Sequence, residues 1–301
     1  MATEAAPLRV GYVPEHFLTP LHFALQHGLF PATLPPPSLH PYPSGTGHMI
    51  TSLTDSTIDL AIGLTDGWIA ALANGNTSYK LIGEYVSTPL RWAISTSAGR
   101  KEELRTKEDL KEHNRLGVSR IGSGSYVMGF VLAEQEGWGE KKGEHFDFVV
   151  CDTFKNLRAA VNDEKADAFM WEYFTTKRYY DSGEIRQIGY IDTPWPSWHI
   201  VCSTKILSTP EGRAQVSAFL AGINEGIKYF LSHQDEAVKW IAGNLDYTED
   251  DAREWLKTVQ FSSDATRVRE EVVEKTVEIL KTAGVVKGEG KTYEEMVVKV
   301  A

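Results

Sequence analysis

Only two cysteines, Cys151 and Cys202, occur in 301 residues, each among apolar neighbours. That scarcity excludes a disulfide scaffold, a zinc ribbon and a cysteine-ligated cluster, and predicts two buried thiols. Long apolar runs are also missing, so no segment reads as a bilayer span. Basic residues are outnumbered, 31 Lys and Arg against 41 Asp and Glu, for a formal charge of -10. Such a balance lacks the concentrated cationic surface that nucleic acid or anionic lipid requires, so neither is expected as a partner. The stretch Met1 to Pro7 has neither the basic nor the apolar segment of a secretory leader, which predicts a cytoplasmic protein. What the chain does have is 42% hydrophobic and 24% charged residues, enough for a packed core in one large or two ordinary domains.

The first two-thirds alternate strand and helix patterns. Leu8 to Val13 reads as a strand, and Thr19-Pro20 as a helix cap followed by proline at the first helical position. Ser44-Gly-Thr-Gly47 opens a second helix, and the near-continuous apolar run Ile58 to Gly63 predicts a strand covered on both faces. Thr65-Asp66-Gly67 then starts another helix. Leu116 to Ser119, Phe148 to Val150 and Ala166 to Trp171 repeat the strand pattern, with helices over Val127–Glu136 and Thr153–Asn162. Leu53 to Gly63 aligns without a gap to Val161 to Trp171, setting Asp55 on Asp163, Asp59 on Asp167 and Ile62 on Met170. Two similar α/β lobes follow from that echo. Beyond the strand His199 to Ser203 the chain turns helical, with a Thr209-Pro210 start and a near capping box from Thr248 to Asp251. This tail reads as packing rather than chemistry.

Ligands of open α/β sheets sit beyond the carboxyl ends of the strands, so the segments that follow each strand are the candidates. In order they hold Glu15 and His16; Ser44, Gly45 and Thr46; Thr65 and Asp66; Ser123, Gly124, Ser125 and Tyr126; and Trp171 with Glu172. Three of the five are helix starts rich in Gly, Ser and Thr, whose free N–H groups suit a carboxylate, sulfonate or phosphate. The others bring carboxylates and aromatic walls. Each has a plainer role open to it: Glu15 as a solvated loop charge, His16 as a structural hydrogen-bonder, Asp66 as a helix cap. Trp195 and Trp198, stiffened by Pro194 and Pro196, serve equally as a stacking wall or a hinge wedge. Aromatic walls, backbone donors and a carboxylate for an amino group favour a zwitterion or an amino-substituted heterocycle over a simple anion. No metal or cofactor is expected.

Val10-Gly-Tyr-Val-Pro14, Ala24 to Phe30, Ile58 to Gly63 and Ala166 to Glu172 resemble the type II periplasmic-binding-protein pattern of sulfonate, nitrate and thiamine-precursor binding proteins. Ser123 to Tyr126 with Phe169 to Glu172 and Pro194 to Trp198 is similar to a cytosolic, fungal-type branch. The resemblance implies an α/β fold of two lobes, each a mixed, mostly parallel sheet flanked by helices. Residues 1–92 with 196–301 would form the first lobe and 93–195 the second, with crossovers near Arg91–Ile94 and Asp192–Trp198 and the ligand held in the cleft between lobes. The missing leader argues against a transporter permease as partner, and two separated cysteines do not reproduce the iron-binding motif of relatives that make the thiamine pyrimidine.

Three functions are consistent with these residues. The first is a binding protein for a small polar metabolite, sulfonate-like or aminopyrimidine-like. The second is a lyase-type enzyme using a cleft carboxylate or His16 as general base. The third is a scaffold protein with a vestigial cleft.

Overall fold

A computed structural model describes residues 6–138 and 145–300, so the residues before Ala6, read above for a leader, lie outside it. Along the chain come β1 (Arg9–Tyr12), α1 (Thr19–Gln26), β2 (Ser38–Pro41), α2 (Thr46–Thr54), β3 (Leu60–Leu64), α3 (Thr65–Ala73) and β4 (Tyr79–Val86). There follow β5 (Arg91–Ser97), β6 (Arg115–Val118), α4 (Gly124–Glu136), β7 (Asp147–Val150), α5 (Phe154–Asn162), β8 (Ala168–Glu172), α6 (Tyr173–Asp181) and β9 (Ile185–Asp192). Last are β10 (Trp198–Ser203) and six helices: α7 (Thr204–Leu207), α8 (Pro210–Ser232), α9 (Gln234–Asn244), α10 (Glu249–Leu256), α11 (Glu270–Thr282) and α12 (Tyr293–Met296).

The chain divides into two compact units. One contains the chain up to Thr88, Pro196–Glu274 and the chain from Lys291 on; the other contains Pro89–Trp195 and Lys275–Gly290. Each is built on a five-stranded sheet, of order β2-β1-β3-β10-β4 in the first and β7-β6-β8-β5-β9 in the second. The central strands β1 and β6 pair in parallel on both sides, whereas β10 and β5 run antiparallel to both their neighbours. Four strands of each sheet therefore run one way and the fifth is reversed, the mixed and mostly parallel α/β architecture expected.

The internal echo is physical. Helix α2 and α5, β3 and β8, α3 and α6 begin 108 residues apart, at 46 and 154, 60 and 168, 65 and 173. Ahead of each buried strand the chain turns through a left-handed residue, Ser56 (φ 56°) or Glu164 (φ 57°). In the first unit Asp59 accepts from the Arg9 backbone N–H and Nε, each at 2.9 Å, and from Nη2 at 2.7 Å. In the second, Asp167 accepts from the same three groups of Arg115 at 3.0, 3.0 and 2.7 Å, and from Arg100 Nη1 at 2.7 Å. Each clasp ties the entry of the strand after the turn to the first residue of the central strand. Charge-assisted, bidentate bonds of this kind are strong and directional. Burial alone would raise the Asp167 carboxyl, yet the two arginines hold it below the usual carboxylate range.

Several elements differ from the sequence reading. Thr19 is the first residue of α1 rather than its cap, because a short 3-10 turn over His16–Leu18 precedes it; its hydroxyl donates to the His16 carbonyl at 2.8 Å. Strand β4 carries no clear strand pattern because Lys80, Gly83 and Glu84 interrupt its apolar character, but Glu84 is buried by bidentate pairing with Arg269. Arg91–Ile94 lies in β5, and the division between the two units falls just before it, after Thr88. In the first unit α8 lies against α1, where Gly226 allows close approach: a Cβ there would sit 2.4 Å from the Pro20 carbonyl oxygen.

Candidate functional site

In the first unit the carboxyl ends of β1 and β3 lie side by side, since the two strands pair directly. Glu15 and His16 follow β1, while Thr65 and Asp66 open α3 after β3. The turn before α2 joins them: Thr46 Oγ1 accepts from the Leu64 backbone N–H at 2.9 Å. Gly45, ahead of that helix, takes φ 78° and ψ -167°, a conformation open essentially to glycine alone. Ser44 is half-buried beside it. Asp66 is 1% exposed in the first turn of α3, where the helix dipole favours its negative charge.

His16 is 1% exposed and surrounded by rings, with centroids 4.5 Å from Phe17, 4.5 Å from Tyr247 and 4.4 Å from Trp255. Burial pushes its imidazole well below the usual histidine range, so it is neutral at pH 7. Phe17 in turn packs 5.3 Å from Trp198, the first residue of β10. Tyr247 and Trp255 come from the helical tail, which the sequence assigned to packing alone. They stand more than 230 positions from His16, and no local pattern signals that contact. A second group also escaped the sequence reading. His199 of β10 bonds through Nδ1 to Thr65 Oγ1 at 2.8 Å, and Thr65 Oγ1 donates to the Pro196 carbonyl at 2.5 Å.

In the second unit Ser123 caps α4, accepting from Tyr126 N–H at 3.3 Å, and its hydroxyl lies 3.1 Å from that of Ser125. Gly124 and Ser125 thus belong to the first turn of α4, and all three small residues are buried. The Tyr126 ring contacts Phe130 and Phe148 at 4.9 and 4.5 Å. Trp171 stacks on Phe154 at 4.9 Å and joins the apolar cluster around Leu157, Val161 and Phe169. Glu172 ends β8 as the cap of α6: one carboxylate oxygen accepts from Thr175 N–H at 2.7 Å and from its hydroxyl at 2.9 Å. Burial outweighs those bonds and raises the Glu172 carboxyl to about 7. Trp195 is 3% exposed, and its carbonyl accepts from the Thr193 hydroxyl at 2.8 Å. Within each unit, then, the predicted turns gather at one sheet edge, each with one buried carboxylate.

Two surface cavities do not coincide with these turns. One of about 730 Å³ runs beside β4, lined by Glu84, Ser262, Arg267 and Arg269; another of about 840 Å³ lies by His233, Asp235 and Arg253. Neither includes a residue predicted from sequence. Among the described residues no group of three or more His, Cys, Asp or Glu is arranged to hold a metal ion. No helix among them is long and apolar enough to cross a membrane.

Residues 92–191 match the family described as Ca3427-like PBP. Over 98% of this chain and 97% of the other, the structure matches that of the conserved Candida albicans CA3427 gene product, with a TM-score of 0.90 and 42% identity. The chain belongs to the Ca3427-like family. That Candida protein is described as defining a new family with the generic periplasmic binding protein fold. The fold extends further. The alkanesulfonate-binding protein SsuA from Xanthomonas axonopodis pv. citri, bound to MOPS, is similar over 98% of this chain and 99% of its own, with a TM-score of 0.75 and 19% identity. The periplasmic aliphatic sulphonate binding protein SsuA from Escherichia coli matches over 97% of both chains, with a TM-score of 0.72 and 18% identity. At those identities the likeness concerns the fold. No curated protein matches the chain.

Proposed function

We propose that this chain is a binding protein for a small polar metabolite, taken at the carboxyl ends of its strands. The observation that carries the reading is a buried carboxylate at the strand-to-helix turn that follows the buried strand of each unit, β3 in one and β8 in the other. Asp66 is 1% exposed just after β3, and Glu172 is 5% exposed at the end of β8. Burying a carboxylate costs free energy that donors must offset, as Thr175 does for Glu172, and an ammonium or amino group of a ligand would add to them. The neighbouring helix starts, with Thr46, Ser123 and Ser125, supply neutral donors for the opposite end of a zwitterion. Sulfonates bearing an amino group and aminopyrimidines of the thiamine-precursor type are the classes that fit. The sulfonate-binding function of the two SsuA proteins supports the first of these.

One observation favours a second reading. A Glu172 carboxyl near pH 7 is suited to general acid–base chemistry, whereas a neutral, ring-packed His16 is a poor base for it. Turnover of a bound compound, lost in Glu172→Gln while affinity stays within about threefold, would support a lyase-type enzyme. For a binding protein, Asp66→Asn and Glu172→Gln each weaken affinity by about tenfold or more, as expected for losing a charged hydrogen bond. Unchanged affinity in both variants refutes the assignment of these turns.

A further inference from the structure

The interior strand β10 carries a histidine whose hydrogen bonding is decided by its neighbours. His199 is 0% exposed and pairs with Gly63 across the antiparallel β3–β10 ladder, so its side chain shares a face with the position a Gly63 Cβ would take. That face is crowded by Thr46 of the candidate site and by Met49 and Trp68. A Cβ at Gly63 would lie 2.7 Å from Trp68 Cζ2, 2.9 Å from Met49 Cε and 3.0 Å from Thr46 Oγ1.

The tautomer follows from the bonds. Thr65 has one hydroxyl proton, and the Pro196 carbonyl at 2.5 Å can only accept it. Thr65 Oγ1 must therefore accept from His199, which places the ring proton on Nδ1 and leaves Nε2 a bare lone pair. Nε2 is buried and has no hydrogen-bond donor among the described residues. Burial, with the Arg269 charge adding to it, lowers the imidazole to about 3, so the ring does not become a cation to hold an anion. On the same face the Trp68 indole N–H, a group that only donates, is 0% exposed and also without a partner. Buried polar groups are nearly always paired, and on this sheet face one acceptor and one donor have no partner among the described residues.

We propose that His199 is a specificity-determining residue of the candidate site, its Nε2 accepting a hydrogen bond from an O–H or N–H group of the ligand. This rests on the reading of the first-unit turns as a ligand site, and it narrows that reading. The ligand carries a hydrogen-bond donor, and a simple acceptor anion is discriminated against, because a site built around a donor leaves its own buried acceptor unpaired when the donor is missing. A trapped water offers the same O–H, and matched probes separate the two sources.

The test is calorimetric titration of the full chain with taurine, isethionate and ethanesulfonate, which share a sulfonate and differ in carrying an ammonium, a hydroxyl or neither. A 4-aminopyrimidine and its parent pyrimidine form the corresponding pair for heterocycles. The wild-type chain is expected to prefer the donor-bearing member of a pair by about tenfold or more. His199→Asn keeps an amide N–H near the place of Nδ1–H and removes Nε2. It is expected to abolish the preference while leaving the donor-free member within about threefold. Equal affinity within each pair in the wild-type chain overturns the proposal and assigns Nε2 to water. Equal weakening of every probe in His199→Asn also overturns it, leaving His199 to position Thr65 only. If the variant does not fold, the wild-type ranking alone decides. Binding of no probe refutes the ligand-site reading itself, an outcome distinct from binding without discrimination.

Discussion

Glu172→Gln isolates the energetic cost of one buried carboxylate. Its carboxyl stands at about 7 in the folded chain, against an ordinary value of 4.5, chiefly because of burial. The folded state therefore holds this proton more tightly than the unfolded chain does between pH 4.5 and 7. Stability from the protonated carboxyl is complete below 4.5, falls as pH rises, and is fully lost above 7. At 1.36 kcal/mol per pH unit, the loss is about 3 kcal/mol. Glutamine accepts the same Thr175 N–H without a charge to desolvate, so the variant lacks this pH dependence. Paired carboxylates such as Asp167 contribute with the opposite sign in both proteins, and the difference between the two curves removes them. Urea unfolding at pH 4.5, 6 and 8 should show the variant gaining about 3 kcal/mol on the wild-type chain from the lowest pH to the highest. Parallel curves would refute the argument, showing that Glu172 is solvated or paired with a cation.

Asp167→Asn should cost about 3 kcal/mol or more, because it leaves the 8% exposed Arg100 guanidinium without its buried partner. Asp59→Asn should cost less, since its partner Arg9 is 40% exposed; urea unfolding of both variants checks the order, and equal costs contradict it. Gly83→Ala should cost about 1–3 kcal/mol, for its Cβ would lie 1.9 Å from the Ala265 carbonyl oxygen, a backbone atom with little freedom to move. A thermal midpoint unchanged by that substitution would show that the segment crossing β4 is loosely held.

The units' architecture was legible because it repeats. The aligned segments Leu53–Gly63 and Val161–Trp171 share a turn, a buried strand and the aspartate that clasps the central strand, and each of these is a local property. Helix starts at Thr46, Thr65 and Gly124 were equally visible, as Gly, Ser and Thr follow each apolar run. What sequence did not disclose depends on partners distant in the chain. Glu84 reads as a solvent-facing charge until Arg269 buries it, so nothing local marks β4 as a strand. Trp255 sits in the acidic helix α10 with nothing local to link it to His16. His199 looks like any residue of a buried strand; its role depends on the Thr65 hydroxyl and the Pro196 carbonyl arriving from elsewhere. Trp171, an aromatic at a strand end, also stacks on Phe154, a partner that its local pattern does not announce.

The central claim, a site for a small polar ligand, is tested most directly by thermal-shift screening of the full chain. The panel holds aminopyrimidines, amino- and hydroxy-sulfonates, small carboxylates and phosphates. A ligand at about 100 times its dissociation constant adds about 2.7 kcal/mol to the folded state, a shift such a screen resolves. The account predicts selective stabilisation by an amino- or hydroxyl-bearing member, weakened in Asp66→Asn. A flat response across the panel, or stabilisation that survives unchanged in both Asp66→Asn and Glu172→Gln, would contradict it.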